Sequence, residues 1–265
     1  MSLWSSEDLG DLYVRLLEAG VEFVVIGGQA VNLWAQHFRA RGRLPDAAWA
    51  AFEPFASRDL DLLGGSVDAA QAAAALAVEA VFFEPHGRAA PPNSGTLYVP
   101  LRGGELIVQF LHSPFGAQRE EIRRSARQLD WRGRALPVMH PILCLEAKIE
   151  CLFGLDQTGR QDRKHVELAM LCGQEFIRDL LGERRERDVL AAIERIVQIA
   201  LSEGGLRLAA EEALLVESAI PSPELVAHAT ALPKIAGFLD RRWPQLEAKI
   251  ATRREHYAQL RARRR

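Results

Sequence analysis

"VEFVVIGGQAVNLW", Val21–Trp34, and "SRDLDLLGG", Ser57–Gly65, decide how the first half of this chain folds. The first is a short β-branched run that reads as a buried strand. It breaks at Gly27 and Gly28, then takes up helical spacing from Gln29 to Phe38. Strand, glycine pair, helix is a tight turn that gathers backbone N–H groups and a helix N-terminus at one point, which suits a phosphate. The second run alternates acidic and apolar residues. Side chains two apart in a strand project from one face, so Asp59 and Asp61 stand side by side. Adjacent carboxylates repel, and burial adds to the cost unless a cation compensates. Beside a divalent metal both can stay ionised while phosphate oxygens complete the coordination. Either feature alone is explained equally well by an ordinary turn or an exposed strand face. Together, and in this order, they point to a magnesium–triphosphate site.

Working outward, Ser6–Ala19 has the apolar spacing of an amphipathic helix with a glycine stop at Gly20. "SVDAAQAAAALAVEA" reads as a helix with Ser66 as its N-cap. "VFFEP", "TLYVPL", "ELIVQFLH" and "RALPVMH" read as strands. After Pro141 the strand signals cease. "PILCLEAKIECLFGL", "DRKHVELAMLCGQEFIRDLL", "ERDVLAAIERIVQIALSE", "AAEEALLVESA", "SPELVAHATAL" and the C-terminal arginine-rich segment all have helical spacing. The expected fold is α+β: a mixed-sheet α/β domain over residues 1–140, then an all-α region over 141–265. The terminal "RARRR" reads as a solvated helix end.

Composition bounds the function. The chain has 265 residues, 48% hydrophobic and 26% charged, with a formal net charge of -2, which excludes a protein that coats nucleic acid by bulk charge. The N-terminus lacks the basic start and apolar core of a signal peptide. The longest small-residue run carries Glu79, and no apolar run is long enough to span a bilayer. A cytoplasmic protein with no membrane partner is expected. Cys144, Cys151 and Cys172 form no CxxC pair and read as buried thiols. Lysine occurs only at Lys148, Lys164, Lys234 and Lys249, against heavy use of arginine.

The string "VVIGGQAVNLW…SRDLDLLGG" resembles the nucleotidyltransferase superfamily of the DNA polymerase β type, whose signature is a glycine pair followed by an acid-x-acid strand. "VIGGQAVNLW" resembles the bacterial branch that includes the abortive-infection nucleotidyltransferase toxins. The resemblance implies a short α/β nucleotidyltransferase domain followed by helices. It implies that Gly27 and Gly28 contact nucleotide phosphates, that Asp59 and Asp61 bind magnesium, and that Ser57 lies near the phosphates. The linker from glycines to acids is longer than the compact family pattern, with an insertion from Arg39 to Ala56. Arg39, Arg41 and Arg43 in it either meet phosphate or form a solvated basic loop. "LEAKIECLFGLDQTGRQDRKHVELAML" resembles the family's helical segment, which places Lys148 on a phosphate and Asp162, Lys164 and His165 near the cleft. Read on physical grounds alone, "RQDRKH" is a solvated helix start with Asp162 at the favourable end of the dipole. By analogy the helical region offers a homodimer or antitoxin contact.

Active members of that superfamily carry a third carboxylate on a later strand, and Gln109 stands at the matching position. An amide can accept a hydrogen bond but has no charge and cannot act as general base. Glu105 lies about 13 Å away along an extended strand, and His112 faces the other side. Three functions follow. The first is a magnesium-dependent nucleotidyltransferase moving a nucleoside monophosphate from a nucleoside triphosphate to a hydroxyl on protein, RNA or a small molecule. The second is a relative that binds nucleotide without turnover and acts as sensor or partner. The third is a non-enzymatic helical adaptor.

Overall fold

A computed structural model describes residues 2–82 and 92–263. The first half runs β1 (Trp4–Ser5), α1 (Gly10–Glu18), β2 (Val24–Val25), α2 (Gly27–Ala40), α3 (Asp46–Ala50), β3 (Ala56–Ser57), β4 (Asp59–Leu63) and α4 (Ser66–Leu76). It continues with β5 (Ala80–Phe82), β6 (Asn93–Leu101), β7 (Gly104–Leu111), α5 (Arg119–Ser125), β8 (Arg127–Trp131) and β9 (Arg134–Val138). The second half is helical: α6 (Pro141–Gly154), α7 (Asp162–Gly182), α8 (Glu186–Leu201), α9 (Glu203–Glu211), α10 (Ser222–Ala229), α11 (Pro233–Gly237) and α12 (Trp243–Ala262). A 3-10 turn at Val216–Ala219 and a π-helical turn at Phe238–Arg242 complete it. The class is α+β, as expected.

Among the described residues seven strands form one mixed sheet in the order β5-β6-β7-β4-β2-β9-β8, and β1 and β3 pair separately. β4 is central, parallel to β7 and antiparallel to β2. Its alternation explains its place. Leu60 and Leu62 are fully buried, while Asp59 and Asp61 on the opposite face are only partly covered. α4 packs on β6 and β7, whereas α2 packs on β4 and against α6 and α7. Secondary structure changes character between β9 and α6, but buried residues on the two sides form one contiguous core. Trp34 on α2 shows the continuity: its Nε1 donates to Met139 O at 2.8 Å, and its ring meets Phe176 of α7 edge-on.

Several expected boundaries shift for local reasons. α2 begins at Gly27 rather than Gln29, and the strand before it pairs only at Val24–Val25. The N-cap of α4 is Gly65, not Ser66, because Asp68 reaches back to accept from the Gly65 N–H at 2.6 Å. α5 and β8 carry no strong periodicity and were not foreseen. "AAEEALLVESA" is not one helix. α9 starts earlier, at Glu203, where Ser202 Oγ accepts from Gly205 N, and the chain turns at Ala213 with φ 56. Gly205 does not break it, since a Cβ there would lie 2.1 Å from Ile199 O and only glycine fits. The expected strand "VFFEP" is seen as Ala80–Phe82, its remainder lying outside the described residues, as does the end of "RARRR". Among the described residues no helix is long and apolar enough to cross a membrane. All three cysteines are buried and free.

Candidate nucleotide site

The glycine turn and the acidic strand meet at one point. Ile26 N donates to Asp61 O at 3.0 Å, tying the end of β2 to β4. Gly27 follows with φ +66, a left-handed conformation that an L side chain resists. A Cβ at Gly27 would lie 2.3 Å from Asp61 Oδ2, so the Asp61 carboxylate occupies the space that the glycine leaves. Gly28 plays the same part toward a second wall. A Cβ there would lie 2.4 Å from Ser57 Oγ and 2.8 Å from His165 Cε1. Ser57 Oγ is held by Asn32 Nδ2 at 3.1 Å. The glycine pair thus packs the turn against an acid, a serine and a histidine.

These groups line a cavity of about 610 Å³, within the size range of small-molecule sites. On the sheet side stand Asp59, Asp61 and Gln109. The β4–β7 register pairs Asp61 with Gln109 and Asp59 with Ile107, so the amide lies directly across from Asp61. Glu105 and His112 do not line the cavity, and His112 Nδ1 lies 3.4 Å from Ser94 Oγ. Facing the acids, α6 contributes Lys148, and the start of α7 with the loop before it contributes Arg160, Asp162 and His165. Lys148 Nζ donates to Asp162 Oδ1 at 2.8 Å and Arg160 Nε to Asp162 Oδ2 at 2.5 Å. Lys148 and Asp162 are 7% and 2% exposed, so this is a buried pair that a second, more exposed cation, Arg160, extends into the cleft.

Electrostatics follow from that layout. Burial and the neighbouring Asp59 charge push Asp61 up to about 7, against the pull of Lys148 and Arg160. Burial also raises Asp162, but Lys148 and Arg160 outweigh it and hold its carboxyl at about 2. Burial, reinforced by the Lys148 charge, pushes His165 down to about 3, so its imidazole is neutral at physiological pH. His165 is 4% exposed, and neither ring nitrogen has a hydrogen-bond partner among the described residues.

Of the residues singled out in the sequence, Gly27, Gly28, Ser57, Asp59, Asp61, Gln109, Lys148, Asp162 and His165 share this cavity, and Lys164 does not. Its Nζ donates to Pro54 O at 2.8 Å, outside the lining. Arg39, Arg41 and Arg43 are also elsewhere: Arg39 pairs with Asp46 and Glu53, and Arg41 and Arg43 with Asp179. Two lining cations escaped the sequence reading, Arg58 and Arg160. Arg160 sits two residues before Asp162, a proximity that carried a signal. Arg58 is brought in by the fold: a Cβ on Gly159 would lie 2.8 Å from its Nη2. Among the described residues no group of three or more His, Cys, Asp and Glu side chains is arranged around a common metal position. Asp59 and Asp61 are two hard oxygen donors whose crowding a divalent cation would relieve. A magnesium ion bound by two carboxylates and completed by water or phosphate fits that donor set. No protein-family model matches the chain, and a search of curated proteins finds no match.

Proposed function

We propose that the cleft is a magnesium-dependent nucleotidyltransferase site that moves a nucleoside monophosphate from a nucleoside triphosphate to a hydroxyl acceptor on protein, RNA or a small molecule. One observation carries the reading: Asp61 packs against the Gly27 turn, and with Asp59 it shares one cavity with Lys148 and Arg160. Asp59 and Asp61 would hold magnesium, which supplies charge neutralisation and a Lewis acid for phosphoryl oxygens. Backbone N–H groups at the start of α2 and the guanidinium of Arg160 donate to phosphate oxygens. Lys148 has three N–H donors, one of which Asp162 takes, and the rest favour phosphate nearby. The unpaired His165 imidazole offers one donor and one acceptor to the bound ligand.

In the transfer, the acceptor oxygen bonds to the α-phosphorus and the bond to the β-phosphate bridging oxygen breaks. Pyrophosphate leaves with that electron pair, and the hydroxyl proton passes to water. The Gln109 amide cannot take the proton, and its place across from Asp61 favours a second reading, nucleotide binding without turnover.

Incubation with magnesium and each labelled nucleoside triphosphate separates the two. Pyrophosphate release with label on an acceptor supports transfer. Saturable, magnesium-dependent binding without release supports the second reading, and then Gln109→Asp is expected to create turnover. Absence of binding, or binding that Asp59→Ala and Asp61→Ala leave unchanged, sinks both.

A further inference from the structure

The cavity runs along α6, from Lys148 beside Asp162 to Gly154, against which Phe115 packs about 9 Å further along the helix. The Lys148 end, with the carboxylates, Arg160 and His165, is polar. At the Phe115 end Leu155 adds apolar surface, and Asn93 and Ser113 also line the cavity. Phe115 and Leu155 are 48% and 36% exposed, so each leaves apolar surface open at the cavity.

The Phe115 ring packs on Gly154, and the backbone beside it is seated on α6 at Gly116. A Cβ on Gly154, the last residue of α6, would lie 2.5 Å from Phe115 Cζ and 2.7 Å from Cε1. A Cβ on Gly116, which has φ +77, would lie 2.7 Å from Glu150 Cβ and 3.0 Å from Ala147 Cα. Both approaches exist only because these positions are glycine, and both press the β7–α5 connection onto α6. The ring is therefore held in place on one side while part of its surface stays open. That costs exposed apolar area in the free protein and supplies a preorganised stacking surface for a planar ligand.

Resting on the nucleotide reading above, we propose that Phe115 and Leu155 form the nucleobase subsite of the cleft, the base stacking on the Phe115 ring while the triphosphate lies at the polar end. The single cavity of about 610 Å³ that joins the two ends is in the size range of sites for ligands of this kind. Stacking uses the π-face that every base possesses, so the subsite contributes affinity for nucleoside triphosphates as a class without reading base edges.

Calorimetric titration of the full chain with ATP and with inorganic tripolyphosphate, both with magnesium, tests this. Wild-type protein should bind ATP more tightly than tripolyphosphate. Phe115→Ala should weaken ATP about 5- to 100-fold and leave tripolyphosphate unchanged, while Phe115→Trp keeps ATP affinity within about twofold. Intact tripolyphosphate binding reports an intact cleft in each variant. Equal wild-type affinity for the two ligands overturns the subsite and leaves the triphosphate cradle standing. So does a Phe115→Ala variant with unchanged ATP affinity, or one that loses both ligands alike. Wild-type protein that binds neither ligand overturns the nucleotide reading itself, and the subsite with it.

Discussion

At Gly27 a single hydrogen atom in place of a methyl group sets the geometry of the acid pair. Its left-handed φ costs a non-glycine residue about 1–2 kcal/mol, before any clash with the Asp61 carboxylate is added. Gly27→Ala is expected to lower the free energy of unfolding in urea by at least that amount and to remove magnesium-dependent nucleotide binding. Unchanged values for both would mean that Asp61 does not occupy the turn. His165 makes the opposite prediction. Among the described residues neither of its nitrogens has a hydrogen-bond partner, so replacing the imidazole forfeits no hydrogen bond to them. His165→Phe should leave thermal stability unchanged or raised while nucleotide affinity falls. A variant that loses stability and keeps affinity would show a structural histidine instead. At this scale the acids were legible because a strand's period of two fixes which side chains share a face, the glycine pair because it breaks a strand before a helix, and Gln109 only through the family resemblance. Lys164 was misplaced for the corresponding helical reason. Asp162 and His165 are three apart and share a face of α7, whereas Lys164 is turned by about 200° from Asp162.

The α6–α7 pair is held at the cleft by Lys148, Asp162 and Arg160. Asp162 stays ionised in the folded protein down to about pH 2, below its ordinary value of 3.8. In the unfolded chain it takes up a proton at that ordinary value. Its contribution, about 2 kcal/mol, is therefore complete above about pH 4 and is lost as pH falls toward 2. Asp162→Asn should cost about 3–5 kcal/mol at neutral pH, because Lys148 is left buried and unpaired. In denaturant titrations the gap between this variant and wild type should narrow by about 2 kcal/mol as pH falls from about 5 toward 2. The double variant Lys148→Met/Asp162→Leu should be less destabilised than Asp162→Asn, and a double variant worse than the single one would argue against an uncompensated charge as the cause. The helices themselves were legible from their spacing. Their partnership was not, since "RQDRKH" reads equally as a solvated helix start until α6 packs over it.

Across the whole molecule, the sheet and the helices share one contiguous core. Trp34, Met139, His140 and Phe176 interlock where the strands give way to helices. Unfolding is expected to be a single transition, coincident by circular dichroism and tryptophan fluorescence. A fragment of residues 1–140 loses α6 and α7 from α2 and should show no cooperative thermal transition. A fragment that melts cooperatively would reveal two independent units. The change from strands to helices was visible in the pattern, but a pattern of elements does not state how much apolar surface crosses between them.

Local periodicity and turn chemistry determined the α+β class, the strand–glycine–helix turn and the paired aspartates, while the amide at position 109 was marked only by the family resemblance. Each of the first three depends on residues near one another in sequence or on a strand's alternation. Only the tertiary structure decided how the opposing wall is packed. It set Arg58 against Gly159, left Lys164 outside the cleft, gave neither nitrogen of His165 a partner among the described residues, and seated Phe115 on Gly154. Those relations join positions far apart in the chain through packing, and packing depends on shapes and backbone approaches that no local pattern encodes.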